Sequence, residues 1–218
     1  SQKTPFDFEP GTAWLYSNAN YIVLGAVIEA VTQRSFEESM FELVFRPLRL
    51  TSTAVDRTSR SATAQVHGYS AAEGPKPGSH EAPFIQIEEA GGAGAMRSNA
   101  TDLCRWHAQL LSRKLFSDDY VRAMTTPGTL RDGRVSGANR FRTEDANYGE
   151  TQYACGLLVS PASDPHPNIL HYGFINGFAA MLQTWTTPSV TLAVLSNADV
   201  GPATPFRNFR QAVSKSLF

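Results

Sequence analysis

The chain has 218 residues, 42% hydrophobic and 18% charged, which is enough apolar material to bury a real core and to form one domain or most of one. A formal net charge of −1 leaves no electrostatic footprint for nucleic acid or an anionic membrane surface, and no apolar run reaches the roughly 20 residues that span a bilayer. Two cysteines, Cys104 and Cys155, show neither metal nor redox spacing; Cys104 falls in an expected core helix and reads as a buried, inert thiol.

Residues 1–15 read as an extended approach broken by Pro5 and Pro10. A helix is expected from about Asn20 to Thr32, with Tyr21, Leu24, Ile28 and Val31 on one face. Ser35 and Glu38 have the spacing of a capping box, and the helix they open carries Phe36, Met40, Leu43 and Val44 and ends at Pro47. Residues 54–90 are polar and rich in Ala, Ser, Gly and Pro. They predict a long surface excursion with one ordered island at Val66-His67-Gly68-Tyr69.

Gly91-Gly92-Ala93-Gly94-Ala95 predicts a tight turn into a helix capped by Ser98 or Asn99. That helix has Asp102 in its first turn and Leu103, Cys104, Trp106 and Leu110 toward the core. The glycine cluster lacks the Lys-Ser/Thr ending of a phosphate-binding loop and is read as structural. A short helix near Asp118–Met124 and a loop rich in Arg, Gly and Asn follow, up to residue 150.

Strands are then expected at 152–159, 168–172, 178–185 and 190–196. The last two flank Thr186-Thr187-Pro188-Ser189 and should form an antiparallel hairpin. Phe206, Phe209, Val213 and Leu217 share one face of a terminal helix over 205–218, suited to packing on that sheet. Helices first, then a sheet with a closing helix, make an α+β architecture. No internal repeat is evident.

Two short constellations carry chemistry. Tyr16-Ser17-Asn18 lies between the Pro10-Gly11 turn signal and a helix start, which puts a phenol and an amide at the mouth of a cleft. His171-Tyr172-Gly173-Phe174-Ile175-Asn176-Gly177-Phe178 joins two expected strands, 171 − 18 = 153 residues beyond Asn18. Each alone is weak. A lone Tyr16 fits an interfacial aromatic, a lone Asn18 a helix cap, and a lone His171 a core or surface histidine. His67, His80, His107 and His166 show no ligand spacing and are given no role.

Taken together, with Pro47-Leu48-Arg49-Leu50-Thr51-Ser52-Thr53, Gly91-Gly92 ahead of an Asp-Leu helix, and Asn197-Ala198 closing the last strand, these residues resemble the serine β-lactamase and penicillin-binding-protein superfamily. The branch is that of class C β-lactamases, D-amino-acid peptidases and related esterases. Tyr16-Ser17-Asn18 is similar to its second active-site element. His171-Tyr172-Gly173 is similar to the Lys-Thr-Gly or His-x-Gly third element, which is followed in the family by Gly-Phe. Arg49 and Leu50 depart mildly from the family's Gly-Met. The resemblance covers nearly the whole chain, most weakly at 54–90 and 125–150.

The resemblance implies a serine hydrolase that acts on a small-molecule ester, amide or β-lactam through an acyl-enzyme, with no cofactor and no metal. By the same resemblance Tyr16 transfers the proton, which for a phenol needs nearby cations that favour phenolate. Asn18 orients a lysine and bonds a substrate carbonyl. His171 occupies the third element, Gly173 lets substrate approach the strand edge, and the backbone N–H of Phe174 is one of two oxyanion donors.

The family's nucleophile, the serine of Ser-x-x-Lys, has no counterpart here. The lysines are Lys3, Lys76, Lys114 and Lys215; Glu73, Leu111 and Ala212 stand three before the last three, and Asn20 stands three after Ser17. The chain is therefore expected to be a C-terminal portion of one such domain, inactive alone, whose nucleophile segment comes from a missing N-terminal part or a second chain. Histidine in the third element favours an esterase or D-amino-acid-type amidase over a dedicated β-lactamase, because lysine there would offer a permanent cation to a substrate carboxylate. A non-catalytic binding or scaffold domain of the same fold is the competing reading.

Overall fold

The computed structural model describes residues 5–57, 66–70, 80–112, 116–141, 151–199 and 205–218. Much of the expected excursion at 54–90, the end of the loop at 125–150, and Lys3, Lys76 and Lys114 lie outside the described residues. In chain order the elements are α1 (Asn18–Thr32), α2 (Phe36–Met40) running into a π-turn at Phe41–Phe45, β1 (Ala54–Val55), β2 (Tyr69–Ser70), β3 (His80–Glu81), a 3₁₀ segment (Ile87–Ala93) and β4 (Met96–Arg97). Then come α3 (Ala100–Leu111), α4 (Asp118–Thr125), β5 (Gln152–Tyr153), β6 (Leu158–Val159), β7 (Asn168–Ile175), β8 (Phe178–Thr186), β9 (Ser189–Ser196) and α5 (Pro205–Leu217).

Strands β5 to β9 form one sheet in sequence order, and β1 with β4 and β2 with β3 make two small antiparallel ladders. Helices beside an antiparallel sheet are the expected α+β class. Among the described residues no helix is long and apolar enough to cross a membrane. The chain divides into two compact units. One holds Ser1–Ser17, Gln109–His171 and Gln183–Val190, and the other Asn18–Ala108, Tyr172–Leu182 and Thr191–Phe218.

In the second unit, α1 does not bury the expected face. Leu24 is 52% and Val31 77% exposed, while Gly25 is its one buried residue. The helix is apolar nearly all round, so hydrophobic spacing does not choose a face. Backbone approach does. A Cβ on Gly25 would stand 3.3 Å from the Gly92 nitrogen, and one on Gly92 would stand 2.4 Å from the Tyr21 carbonyl oxygen. The glycines expected to make a tight turn therefore serve as a contact surface for α1, within a 3₁₀ segment bent at Gly91 (φ 44°).

Ser35 and Glu38 form the reciprocal capping box that opens α2. Below it Phe45, Leu48, Leu50, Val55 and Ala95 make a buried cluster with Phe36, Met40, Val44 and Trp106 packed against it. Asn99 is the cap of α3, accepting from the Asp102 amide at 2.8 Å. Asp102 is a buried tie and not only a dipole complement. Its carboxylate accepts from the Ser52 amide at 2.7 Å and from the Thr53 hydroxyl at 3.1 Å, and it pairs with Arg105 at 3.1 Å. Cys104 is half-buried, not buried, with its thiol 4.0 Å from the Thr191 carbonyl; Cys155 is exposed, and both thiols are free.

On α5, Phe206 is buried with Ala179 and Met181 of β8, but Phe209 is 52% exposed. The inward line is Phe206, Arg210, Val213 and Leu217. A spacing of four from Phe206 passes over Phe209.

In the first unit, the single strand expected at 152–159 is two short ones. The chain reverses at Gly156 (φ 71°), and Gln152 pairs with Val159 and Tyr153 with Leu158. A glycine inside a strand pattern favours such a break. Strand β6 then pairs antiparallel with β7, Leu158 opposite Leu170. Buried polar groups on this side are satisfied in part: Gln183 donates to the Asn168 side chain at 3.1 Å, and the Asn168 amide donates to Ser160 at 2.9 Å. The expected hairpin of the last two strands is present as β8 and β9, joined by Thr187-Pro188.

Candidate active site

The approach to Tyr16 is fixed by backbone. Thr12 donates to the Glu9 carbonyl at 3.0 Å across the expected Pro10-Gly11 turn, with Gly11 at φ 83°. Trp14 then bonds as a one-residue strand, its amide to Asn139 and its carbonyl from Phe141, both at 2.9 Å. The Arg140 guanidinium lies 5.7 Å from the centre of the Trp14 ring, a cation–π distance.

Two residues on, half-buried Tyr16 meets His171 of the same unit. Their ring centroids are 6.3 Å apart with the planes 35° from parallel. The two sequence elements thus meet across 171 − 16 = 155 positions. Between them stands Tyr153 on β5, which sequence reasoning did not single out. Its ring is edge-on to Tyr16 at 5.7 Å and to His171 at 6.0 Å, and tilted against Trp14 at 5.3 Å. Its hydroxyl is 3.3 Å from His171 Nε2. All these separations fall in the range aromatic pairs prefer. Tyr153 carried no sequence signal, because it sat inside what read as one continuous strand.

Asn18 is the exposed first residue of α1, two positions past Tyr16. Gly173 and Phe174 lie two and three residues past His171 on β7. Alternation along the strand puts His171 and Gly173 on one side and Tyr172 and Phe174 on the other. The Phe174 ring accordingly stacks on Tyr172 at 6.3 Å and leans on Phe206 at 6.4 Å. Gly173 is exposed, and a Cβ there would stand 3.6 Å from the Ala180 Cβ, an ordinary contact. Packing does not demand glycine at 173.

The turn after the third element is pinned within its unit. Gly177 (φ 77°) donates to Asp199 at 3.3 Å, Asn176 donates to the Pro83 carbonyl at 3.2 Å, and the Gly68 backbone packs directly against Gly177. The island expected at Val66–Tyr69 supplies the last of these contacts. It is tied down by Tyr69 donating to Asn197 at 2.9 Å and by Asn197 donating to His67 at 3.0 Å. Chemically, the described cluster brings a phenol and an imidazole within ring-packing distance, both half-buried.

The model of the family described as Beta-lactamase matches residues 1–215. Penicillin-binding protein 4* of Bacillus subtilis (strain 168) is 23% identical over 202 residues, which are 88% of this chain and 41% of that protein. Among solved structures, a D-stereospecific amidohydrolase from Streptomyces sp. superposes with a TM-score of 0.68 at 28% identity, covering 88% of this chain and 52% of that one. A penicillin binding protein from Bacillus halodurans superposes with a TM-score of 0.72 at 19% identity, covering 100% and 60%, and shows the shared fold. The chain spans about half the length of the proteins it matches. The family model covers nearly every residue and the fold is that of β-lactamase/transpeptidase structures, and the chain belongs to the Beta-lactamase family.

Proposed function

We propose that this chain provides the proton-transfer and oxyanion side of an acyl-transfer site that hydrolyses a small amide or ester, of the D-amino-acid amide type in preference to a β-lactam. Tyr16 takes the proton of a serine hydroxyl as that oxygen bonds to the substrate carbonyl carbon, and returns it to the leaving nitrogen or oxygen when the acyl-enzyme forms. Asn18 holds the substrate carbonyl side, His171 stands beside the phenol, and the Phe174 amide receives developing oxyanion charge. The serine and its lysine come from outside these 218 residues, since no serine here precedes a lysine by three.

The observation that carries this reading is the contact of Tyr16 with His171. Gly173 supports it, because an exposed glycine that packing does not require leaves room for a ligand against the strand. The likeness to a D-stereospecific amidohydrolase and the histidine in place of lysine favour the amide or ester substrate. A fluorophosphonate probe on the full-length gene product is the test. Covalent serine labelling that is lost on prior incubation with a D-phenylalanine ester supports the reading. Absence of labelling, in a protein that still binds the ester, moves the assignment to a non-catalytic binding domain. Turnover by residues 1–218 alone would place the nucleophile inside them and overturn its assignment to another segment.

A further inference from the structure

We propose that Tyr153 is the positioning residue of the site: its hydroxyl donates to Nε2 of neutral His171 and so holds the imidazole proton on Nδ1, in a fixed orientation beside Tyr16. The use of that proton in catalysis rests on the hydrolase reading above; the hydrogen bond itself rests on geometry.

Three strands set the geometry. Tyr153 pairs with Leu158, Leu158 pairs with Leu170, and His171 follows Leu170. Leu158 and Leu170 are 2% and 1% exposed, so the register between Tyr153 and His171 is locked by buried side chains whose faces a one-residue slip would invert. The phenol oxygen lies 3.3 Å from Nε2, with the two rings edge to face at 74°. The Tyr153 ring is itself braced by Trp14 at 5.3 Å and Tyr16 at 5.7 Å. A side chain touching both residues of the site, on a short hairpin of its own, fixes their mutual placement before substrate arrives.

The chemistry follows from the imidazole. Neutral histidine has one nitrogen that donates and one that accepts, and the partner of one nitrogen decides the state of the other. A neutral histidine side chain free in water favours the proton on Nε2. A hydroxyl donating to Nε2 reverses that preference and makes Nδ1 the donor. His171 then presents a defined N–H to whatever lies beside it, without needing a positive charge.

The experiment is two-bond ¹H–¹⁵N NMR on the full-length gene product labelled at histidine nitrogens, with His171 signals identified by their loss in His171→Gln. Wild-type His171 is expected to carry its proton on Nδ1. In Tyr153→Phe, which keeps the ring against Trp14, the tautomer ratio should move toward Nε2–H by roughly three- to tenfold, the size of one neutral hydrogen bond. Turnover of a D-phenylalanine anilide should fall mainly in kcat. A wild-type His171 protonated on Nε2 overturns the proposal without any variant, and so does a Tyr153→Phe spectrum identical to wild type. An Nδ1–H signature that Tyr153→Phe removes, in a protein that hydrolyses no ester or amide, upholds the positioning role and overturns the hydrolase reading.

Discussion

The hydroxyl of Tyr153 and Nε2 of His171 stand 3.3 Å apart although they belong to β5 and β7, with β6 between them in the sheet. The contact is made across the sheet, by side chains that reach past the strand between them.

Tyr16→Phe removes one oxygen and keeps the ring that contacts Tyr153 and His171. In the full-length protein kcat should fall about 10²- to 10⁴-fold, the usual contribution of a positioned acid–base group, while the melting temperature stays within about 2 °C, as expected for a change of under ~0.5 kcal/mol. Steady-state kinetics beside a thermal melt is the check. An unchanged rate would make Tyr16 a packing residue.

Gly173→Ala separates fold from function. The added Cβ meets only an ordinary contact with Ala180, and replacing a strand glycine removes unfolded-state freedom. Stability should hold or rise by about 0.4–1 kcal/mol. If substrate runs against the strand here, kcat/KM should nevertheless drop tenfold or more, by roughly 1.4 kcal/mol or more of lost transition-state binding. Urea unfolding together with kcat/KM reads both, and a variant both stable and fully active would show that nothing docks at this position.

His107 is 1% exposed on α3, and burial pushes its imidazole down to about 4 from the usual 6.5. Burial favours the neutral form, so the folded state binds fewer protons than the unfolded state between those two values. The stability this contributes is complete above about pH 6.5 and is lost as pH falls toward 4, roughly 3 kcal/mol over the whole interval. Urea midpoints of wild type and His107→Gln, compared at pH 7 and pH 5, should converge as the pH drops. A constant difference would show that His107 does not titrate in this range.

Asp102→Ala should cost about 1–3 kcal/mol, because the Ser52 amide and the Thr53 hydroxyl lose a buried, charged acceptor. Asp102→Asn, which keeps an oxygen for that amide, should recover much of the loss. Equal damage from both variants would shift the weight to the Arg105 ion pair.

The parts of this fold that could be read from the sequence are those with local chemical causes. The Ser35–Glu38 box, the Asn99 cap, the Pro10-Gly11 turn and the β8–β9 hairpin each follow from side chains within a few positions of one another. The α1 face did not, because a helix apolar nearly all round gives periodicity little to contrast and the deciding contact is Gly25 with Gly92, 67 residues away (92 − 25 = 67). Helical spacing groups Phe209 with Phe206, Val213 and Leu217, yet it is 52% exposed because a step of three from Phe206 there leaves the sheet. The nearness of Tyr16 to His171 could be expected from the flanks of their motifs. The contact of Tyr153 with His171 could not, because it joins strands whose pairing no sequence pattern records.

The meeting of Gly68 with Gly177 has a consequence for redesign. A Cβ on Gly68 would come within 2.9 Å of the Gly177 backbone and 2.5 Å of the Phe178 ring, and one on Gly177 within 2.6 Å of Gly68 and 2.7 Å of Ala82. Neither position can acquire a side chain unless the other strand end retreats, so the two are free to drift only together. Redesign of this region should therefore change Gly68 and Gly177 as a pair or leave both alone, since the turn of the third element rests on that footing.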